Sequence, residues 1–238
     1  MVSVVMIVHN VDVRPEILAM TKIALETMKA TVDQSYQKVL IDNGSNDGGK
    51  TMALLSSFCN AEAGDCVIQF KRNEPVAHCW NVAIAFWAKG DVVVLVNNDV
   101  VFNKSGWLSA LVDAARPEGV GAAGSRTLHW NGFKFLEGSF LAFRRQAASD
   151  IAKDGNIFDE QFDFTCEDVD FCERLSRNGK RLVEVPIEGM GYVTHAHHGT
   201  LSWMNEEGGW NGKSILDVMH ESRRKLCRKF GKAERVDD

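Results

Sequence analysis

Residues 92–96 read Val-Val-Val-Leu-Val, an unbroken apolar run entered from Gly90-Asp91 and left through Asn97-Asn98-Asp99. A run that does not alternate between apolar and polar positions has no face to offer water. It therefore predicts a strand covered on both faces, as in a parallel sheet flanked by helices. Polar side chains at the carboxyl end of such a strand sit where open α/β sheets bind ligands. Asp99 there suits a hard divalent cation, and such a cation suits a diphosphate. Asn98 and Asp99 equally suit a plain turn after the strand. These residues alone leave both readings open.

The rest of the chain supports the sheet. Strand and helix patterns alternate: strands at 3–8, 38–41, 67–70 and 92–96, and helices at 15–29, 50–58 and 76–89. The first helix opens on Pro15 and carries Ile17, Leu18, Leu25 and Met28 on one side. This β-α-β-α order predicts a parallel sheet with helices on both faces. After residue 102 the rhythm changes. Residues 106–115 look helical and 120–123 look like a short strand. Residues 128–143 hold one or two strands, 168–177 a helix, 182–185 a strand ending at Pro186, and 191–193 a strand-like piece. Residues 195–212 are rich in Gly, His and Trp and lack a period, so they read as a loop over the site, and 215–230 read as a basic helix.

At 238 residues and 45% hydrophobic, the chain fits one large α/β domain with a terminal extension and a substantial core. A net charge of −5 argues against a dedicated nucleic-acid binder. The six cysteines show no C-x-x-C spacing and read as reduced, mostly buried thiols. The chain enters a strand at once, without a basic leader or a cleavage signal, and it has no apolar run of the ~20 residues that a membrane span needs. The expected compartment is the cytoplasm.

Three constellations carry chemistry. Asp42-Asn43-Gly44-Ser45-Asn46-Asp47-Gly48 follows a strand. Its two carboxylates exclude a phosphate cradle and it lacks the G-x-G-x-x-G spacing. Asp42 suits a base or ribose, while Asp47 suits the cap of the next helix. Phe158-Asp159-Glu160, then Glu167-Asp168-Val169-Asp170 and Arg174, places three carboxylates at a helix start. They read either as charges favoured by the helix dipole or as the home of a general base. Thr194-His195-Ala196-His197-His198 places three histidines within four positions, and one of them suits a metal site.

Taken in order, these pieces resemble the inverting GT-A glycosyltransferases of the large family that includes rhamnosyltransferases and cellulose synthase, glycosyltransferase family 2. The resemblance runs over residues 3–202. A first strand ends at His9-Asn10. Asp42 to Asp47 is similar to the family's D-x-x-S-x-D loop. Arg72-Asn73 through Asn81 is similar to the segment after the third strand, with Pro75 where the family usually has Gly. Asn97-Asn98-Asp99 resembles the metal-binding triad. Gly138 with Arg144-Arg145 matches a strand lining the acceptor side. Phe158-Asp159-Glu160 with Glu167-Asp168-Val169-Asp170 and Arg174 is similar to the FDE…EDvD…R block.

The resemblance implies a GT-A fold: a Rossmann-like, mostly parallel sheet with helices on both faces and a smaller acceptor-side sheet. It implies a nucleotide-sugar half at 1–102, an acceptor half at 103–212 and a C-terminal basic helix at 213–238. It further implies that Asp168 is the base and that Asp99 holds Mn²⁺ or Mg²⁺ with His195, for which His197 and His198 are alternates. The substrate-binding residues it implies are Asn10, Asp42, Ser45, Asp47, Arg72, Asn73, Asn81, Asn97, Asn98, Gly138, Glu167, Asp170, Arg174 and Trp203. The donor would be a UDP-, dTDP- or GDP-linked sugar, and the acceptor a glycan, a lipid-linked molecule or a protein.

Two other classes stand beside this one. A catalytically inactive nucleotide-sugar binder would keep Asp42 and lose the base or the metal ligand, yet Asp99 and Asp168 are both present. A sugar nucleotidyltransferase would want a Gly-rich basic loop after the first strand, and Val8-His9-Asn10-Val11-Asp12 offers none. The C-terminal helix carries Arg223, Arg224, Lys225, Arg228, Lys229 and Lys232 with an apolar stripe of Ile215, Met219, Leu226 and Phe230. It reads as a helix packed on the domain, or as a peripheral contact with the inner face of an anionic membrane. Trp203 and Trp210 suit either a sugar face or the core.

Overall fold

The computed structural model describes residues 1–162, 165–195 and 213–234. A seven-stranded sheet forms its centre, its strands lying side by side in the order 181–184, 120–124, 140–144, 92–97, 2–8, 37–43 and 66–70. The strands of the first half are β1 (Val2–Val8), β2 (Gln37–Asn43), β3 (Cys66–Phe70) and β4 (Val92–Asn97), all parallel to one another. In the second half, β6 (Val120–Gly124) and β10 (Arg181–Glu184) pair in parallel, and β9 (Phe140–Arg144) runs antiparallel between β4 and β6. Two small sheets complete the set: β5 (Val100–Phe102) with β11 (Val193–His195), and β7 (Thr127–Trp130) with β8 (Phe133–Leu136).

The apolar run behaves as its composition requires. Val92, Val94 and Val96 enter the core on one face, and Val93 and Leu95 enter the core on the other. Helices α1 (Pro15–Thr31) and α4 (Trp107–Ala115) cover the first face, and α3 (Val76–Val82), the short α5 (Arg145–Ser149) and α6 (Glu167–Arg177) the second. Along α1, Ile17, Leu25 and Met28 are buried as expected; Leu18 is only half-buried, and Thr21 and Ala24 fill the stripe. Helix α2 (Lys50–Phe58) has the predicted bounds.

Three departures have physical causes. The helix expected over 76–89 leaves α geometry at Val82 and continues as a wider π turn over Ala83–Trp87. The guanidinium of Arg145 caps that end, donating to the carbonyls of Ile84, Ala88 and Gly90. The stretch 128–143 holds three strands, because Asn131 (φ 45°) and Gly132 (φ 74°) make the tight positive-φ turn that joins β7 to β8. Finally, β9 starts at the site end with Phe140 but carries Arg144 to the far end of the sheet, opposite Val92. Arg144 and Arg145 thus stand away from the acceptor side; Arg144 donates to the Glu118 carbonyl.

The C-terminal helix (Ile215–Phe230) packs on the domain. Leu226 and Cys227 share a core cluster with Phe133, Phe162, Cys166 and Val169. Among the described residues, five of its six basic side chains make contacts within the chain, Arg228 with the Arg224 carbonyl of its own helix. Arg223 lies over the Trp130 ring, Lys225 donates to the Gln161 carbonyl, and Lys232 donates to the Gly132 carbonyl. Lys229 Nζ lies 2.5 Å from both Asp159 Oδ2 and Asp170 Oδ1. No helix among the described residues is long and apolar enough to cross a membrane.

Asp170 is fully buried, so its carboxylate depends on its cations. Lys229→Met removes one of them and leaves Arg174, and should lower stability by about 2 kcal/mol. Denaturant titration of the variant against wild type measures this; Lys229→Arg should recover most of the loss.

Candidate functional site

Parallel pairing brings the ends of β1, β2 and β4 to one edge: Ile7 lies level with Ile41 and Asn97, and Val8 with Asp42. The loop after β2 is built there. Asp42 is buried and accepts from the Ser45 N–H (2.9 Å) and from Gln69 Nε2 (3.2 Å) on β3. Ser45 Oγ accepts from the Asn10 N–H, and Asn10 Nδ2 donates to Thr51. Asp47 accepts from the N–H and hydroxyl of Thr51 and so caps α2. Gly44, at φ 69°, lets the chain turn under Arg72: a Cβ there would meet the Arg72 carbonyl carbon at 2.1 Å. Asn10, Asp42, Ser45 and Asp47 therefore form one hydrogen-bonded cradle.

The next loop is tied to the same edge. Asn43 donates to the Asn73 side chain and the Glu74 carbonyl, and accepts from the Glu74 N–H. The Arg72 side chain is exposed and bonds Glu74. Asn81 stands deeper. Its amide holds the Phe158 backbone at both N–H and carbonyl, and it also donates to Glu160. Its visible role is to fix the segment that leads to α6.

Asn98 and Asp99 make the turn between β4 and β5, and the turn also presents side chains. Asn98 donates to Thr21, and the Asn97 N–H donates to the Ser139 carbonyl. Asp99 Oδ1 lies 3.0 Å from Nε2 of His195, and both residues are buried. The strand pair β5–β11 makes this contact, since it aligns Val100 with His195. His195 thus stands beside Asp99 as part of a strand. Burial works to lower its pKa, but the hydrogen bond and charge of Asp99, with Glu137 and Glu188, outweigh burial and raise it. Carboxylate oxygens and an imidazole nitrogen form a donor set that fits Mn²⁺ or Mg²⁺. His197, His198, Trp203 and the rest of the loop at 196–212 lie outside the described residues.

Across from this pair is the start of α6. Cys166 precedes the helix at φ 74°, a conformation that costs a non-glycine residue energy. Asp168 Oδ2 accepts from the Gly138 N–H (3.0 Å) and Oδ1 from the Val169 N–H (2.7 Å). Burial pushes its pKa up to about 6, the two N–H donors work against the rise, and Glu137 adds to it. Glu167 is buried with Oε2 unpartnered among the described residues. Burial and the Asp168 charge push it up to about 8. Asp170 accepts from Arg174, whose guanidinium also donates to the carbonyls of Ile151 and Ile157. Those two residues brace the loop before α6.

The sequence reading missed Gln69, Glu137 and Glu188, and it named Lys229 without its partners Asp159 and Asp170. The first three are single polar residues in otherwise unremarkable segments, and only the fold brings them to the edge.

A carboxyl whose pKa is higher folded than unfolded favours the fold at low pH and loses that contribution as pH rises. For Glu167 the loss runs from about 4.5 up through about 8. Glu167→Gln, neutral throughout, should match wild type near pH 5 and exceed it by about 1–3 kcal/mol at pH 9. Thermal melts at the two pH values check this; an equal change at both would place the effect elsewhere.

Known proteins carry the same architecture. The chain superposes on the mannosyltransferase PcManGT from Pyrobaculum calidifontis, solved with GDP-Man and Mn²⁺, with a TM-score of 0.67 at 15% identity, over 95% of this chain and 64% of that one. On GalNAc-T7 with UDP, GalNAc and Mn²⁺ the TM-score is 0.69 at 13% identity, over 95% of this chain and 47% of the other. On S. aureus TarS 1-349 with UDP-GlcNAc it is 0.56 at 17% identity, over 97% and 72%. Rhamnosyltransferase WbbL of Escherichia coli (strain K12) is 33% identical over 99 residues, which is 42% of this chain and 35% of that protein. The chain thus spans about a third of the length of that curated relative. Residues 3–170 match Glycosyl transferase family 2, and the protein, with its GT-A fold, belongs to that family.

Proposed function

We propose that this protein is a divalent-cation-dependent, inverting glycosyltransferase that moves a sugar from a nucleoside-diphosphate donor to an acceptor hydroxyl. One observation carries the reading. Three groups separated in sequence meet at one edge of the sheet: the Asp42 loop, the Asp99–His195 pair and the carboxylate of Asp168. Solved relatives of this fold hold GDP-Man, UDP or UDP-GlcNAc, which supports a nucleotide-linked sugar as donor.

The residues divide the work. The cradle of Asn10, Asp42, Ser45 and Asp47 takes the nucleoside end, beside Arg72, Asn73 and Gln69. Asp99 and His195 hold the cation, with Asn97 and Asn98 shaping the turn that presents Asp99. When bound, that ion supplies positive charge to the departing diphosphate. Asp168 takes the proton from the acceptor hydroxyl, which then attacks the anomeric carbon on the face opposite the leaving group. An inverting glycosidase likewise sets its base across the ring from the leaving group. The N–H groups of Gly138 and Val169 hold the Asp168 carboxylate in one orientation, as the acceptor needs. Glu167 lines the acceptor side as a neutral acid at pH 7. Asp170 and Arg174 position α6, and Asn81 positions the segment before it. The acceptor is a glycan, a lipid-linked molecule or a protein surface, and the setting is glycoconjugate synthesis in the cytoplasm.

A screen of UDP-, dTDP- and GDP-sugars for thermal stabilisation with Mn²⁺ identifies the donor. NMR of the product then reads the anomeric configuration. No stabilisation by any nucleotide would remove the reading, and a retained configuration would remove the one-step displacement. Asp168→Asn should bind the donor as wild type does and lower kcat by about 100- to 10,000-fold. A base works only when deprotonated, so wild-type turnover should fall about tenfold per pH unit below about 6, where Asp168 takes its proton. An acid limb centred near 4 would mean that burial does not perturb the base.

A further inference from the structure

We propose that Glu188 and Glu137 belong to the cation site, so that carboxylates from three separate elements surround the His195 imidazole. The inference rests on the reading of Asp99 and His195 as the cation-holding pair and extends it to two residues that no sequence motif marks.

The geometry comes first. One ligand atom each from Glu137, Glu188 and His195 lie within 4.8 Å of one another. Oxygen and nitrogen ligands about 2.1 Å from one ion stand roughly 3–4.2 Å apart, so this cluster is within a small side-chain rotation of closing on a cation. Asp99 reaches the same imidazole at 3.0 Å. The four residues come from four places in the fold. Asp99 is on the β4–β5 turn, Glu137 just past β8, Glu188 on the turn before β11, and His195 within β11.

Each is held by its backbone. The Glu137 N–H donates to the Arg126 carbonyl. Around Glu188, Met190 N–H bonds the Pro186 carbonyl, Gly191 N–H bonds the Glu188 carbonyl and Tyr192 N–H bonds the Ile187 carbonyl, with Ile187 fully buried below. Side chains converging from rigid elements form a preorganised site. Carboxylates gathered this closely repel one another, and a divalent ion between them relieves that repulsion. A set of oxygens with one imidazole nitrogen favours Mn²⁺ over Mg²⁺.

The test is titration of Mn²⁺ alone into the full chain, followed by the EPR signal of free Mn²⁺. Wild type should bind, and Glu188→Gln and Glu137→Gln should each weaken binding at least tenfold, with metal-free melting unchanged or raised by the relief of repulsion. If Glu188→Gln melts lower without metal, Glu188→Asp provides the check, because it keeps the carboxylate and should regain part of the affinity. Wild-type affinity in Glu188→Gln, alongside loss in Asp99→Asn, overturns the assignment, and so does a wild type that does not bind Mn²⁺. Failure of the transferase reading looks different: Mn²⁺ would bind through Glu188 while no nucleotide sugar stabilised the protein.

Discussion

The parallel pairing of β4 with β1 is the constraint on which the rest depends. It places Asn97 level with Ile7, and the pairing of β1 with β2 places Asp42 level with Val8. Every strand of the first half therefore delivers its following loop to one edge. Hydrophobic burial drives this pairing, because strands apolar on both faces must be covered by helices on both sides. The cradle at Asp42, the turn at Asp99 and the strand β11 beside it all follow from where that edge lies. A one-residue slip of β4 would exchange the faces of Val94 and Leu95 and carry Asp99 away from His195.

That edge gathers acid. Asp42, Asp47, Asp99, Glu137, Glu167, Asp168 and Glu188 all stand on it or on the elements that face it. Such crowding opposes folding, and the molecule shows how it is tolerated. Asp42 accepts from an N–H of its own loop, and Asp47 from the Thr51 N–H in the first turn of α2. Asp168 takes two backbone donors and keeps a raised pKa, and Glu167 stays protonated near neutrality. The non-glycine αL conformation of Cys166 adds local strain at the same place. Strain and perturbed acids thus cluster at one place on the sheet edge, the pattern that functional sites favour, and the core bears the cost.

Much of this was legible in the sequence, and the exceptions share a cause. The central strand, α2 and the C-terminal helix were readable because their periods are local and strong. Asp42, Asp99 and Asp168 stood out because each ends or begins a clear element. The hairpin at Asn131-Gly132 left a local signal that the aromatic-rich stretch around it obscured. Glu137, Glu188 and Gln69 left none, since a lone polar residue in a short segment carries no period and its neighbours come from distant strands. The contact of His195 with Asp99 left no signal for the same reason, since it needs the pairing of β11 with β5 across some 90 residues.

The family match ends at residue 170, and the bonding does not. Asp170, the last matched residue, shares its carboxylate between Arg174 on its own helix and Lys229 on the C-terminal helix. The same ammonium reaches Asp159, while Phe133 and Val169 pack against Leu226 and Cys227. The helix that begins with Glu167 and Asp168 is thus clamped from one side by the sheet and from the other by a segment beyond the family span. A buried carboxylate with two cations resists displacement, because moving either partner leaves an uncompensated charge. The orientation of Asp168 toward Gly138 is therefore a property of the whole chain, and the C-terminal helix is part of what holds the start of α6 in place.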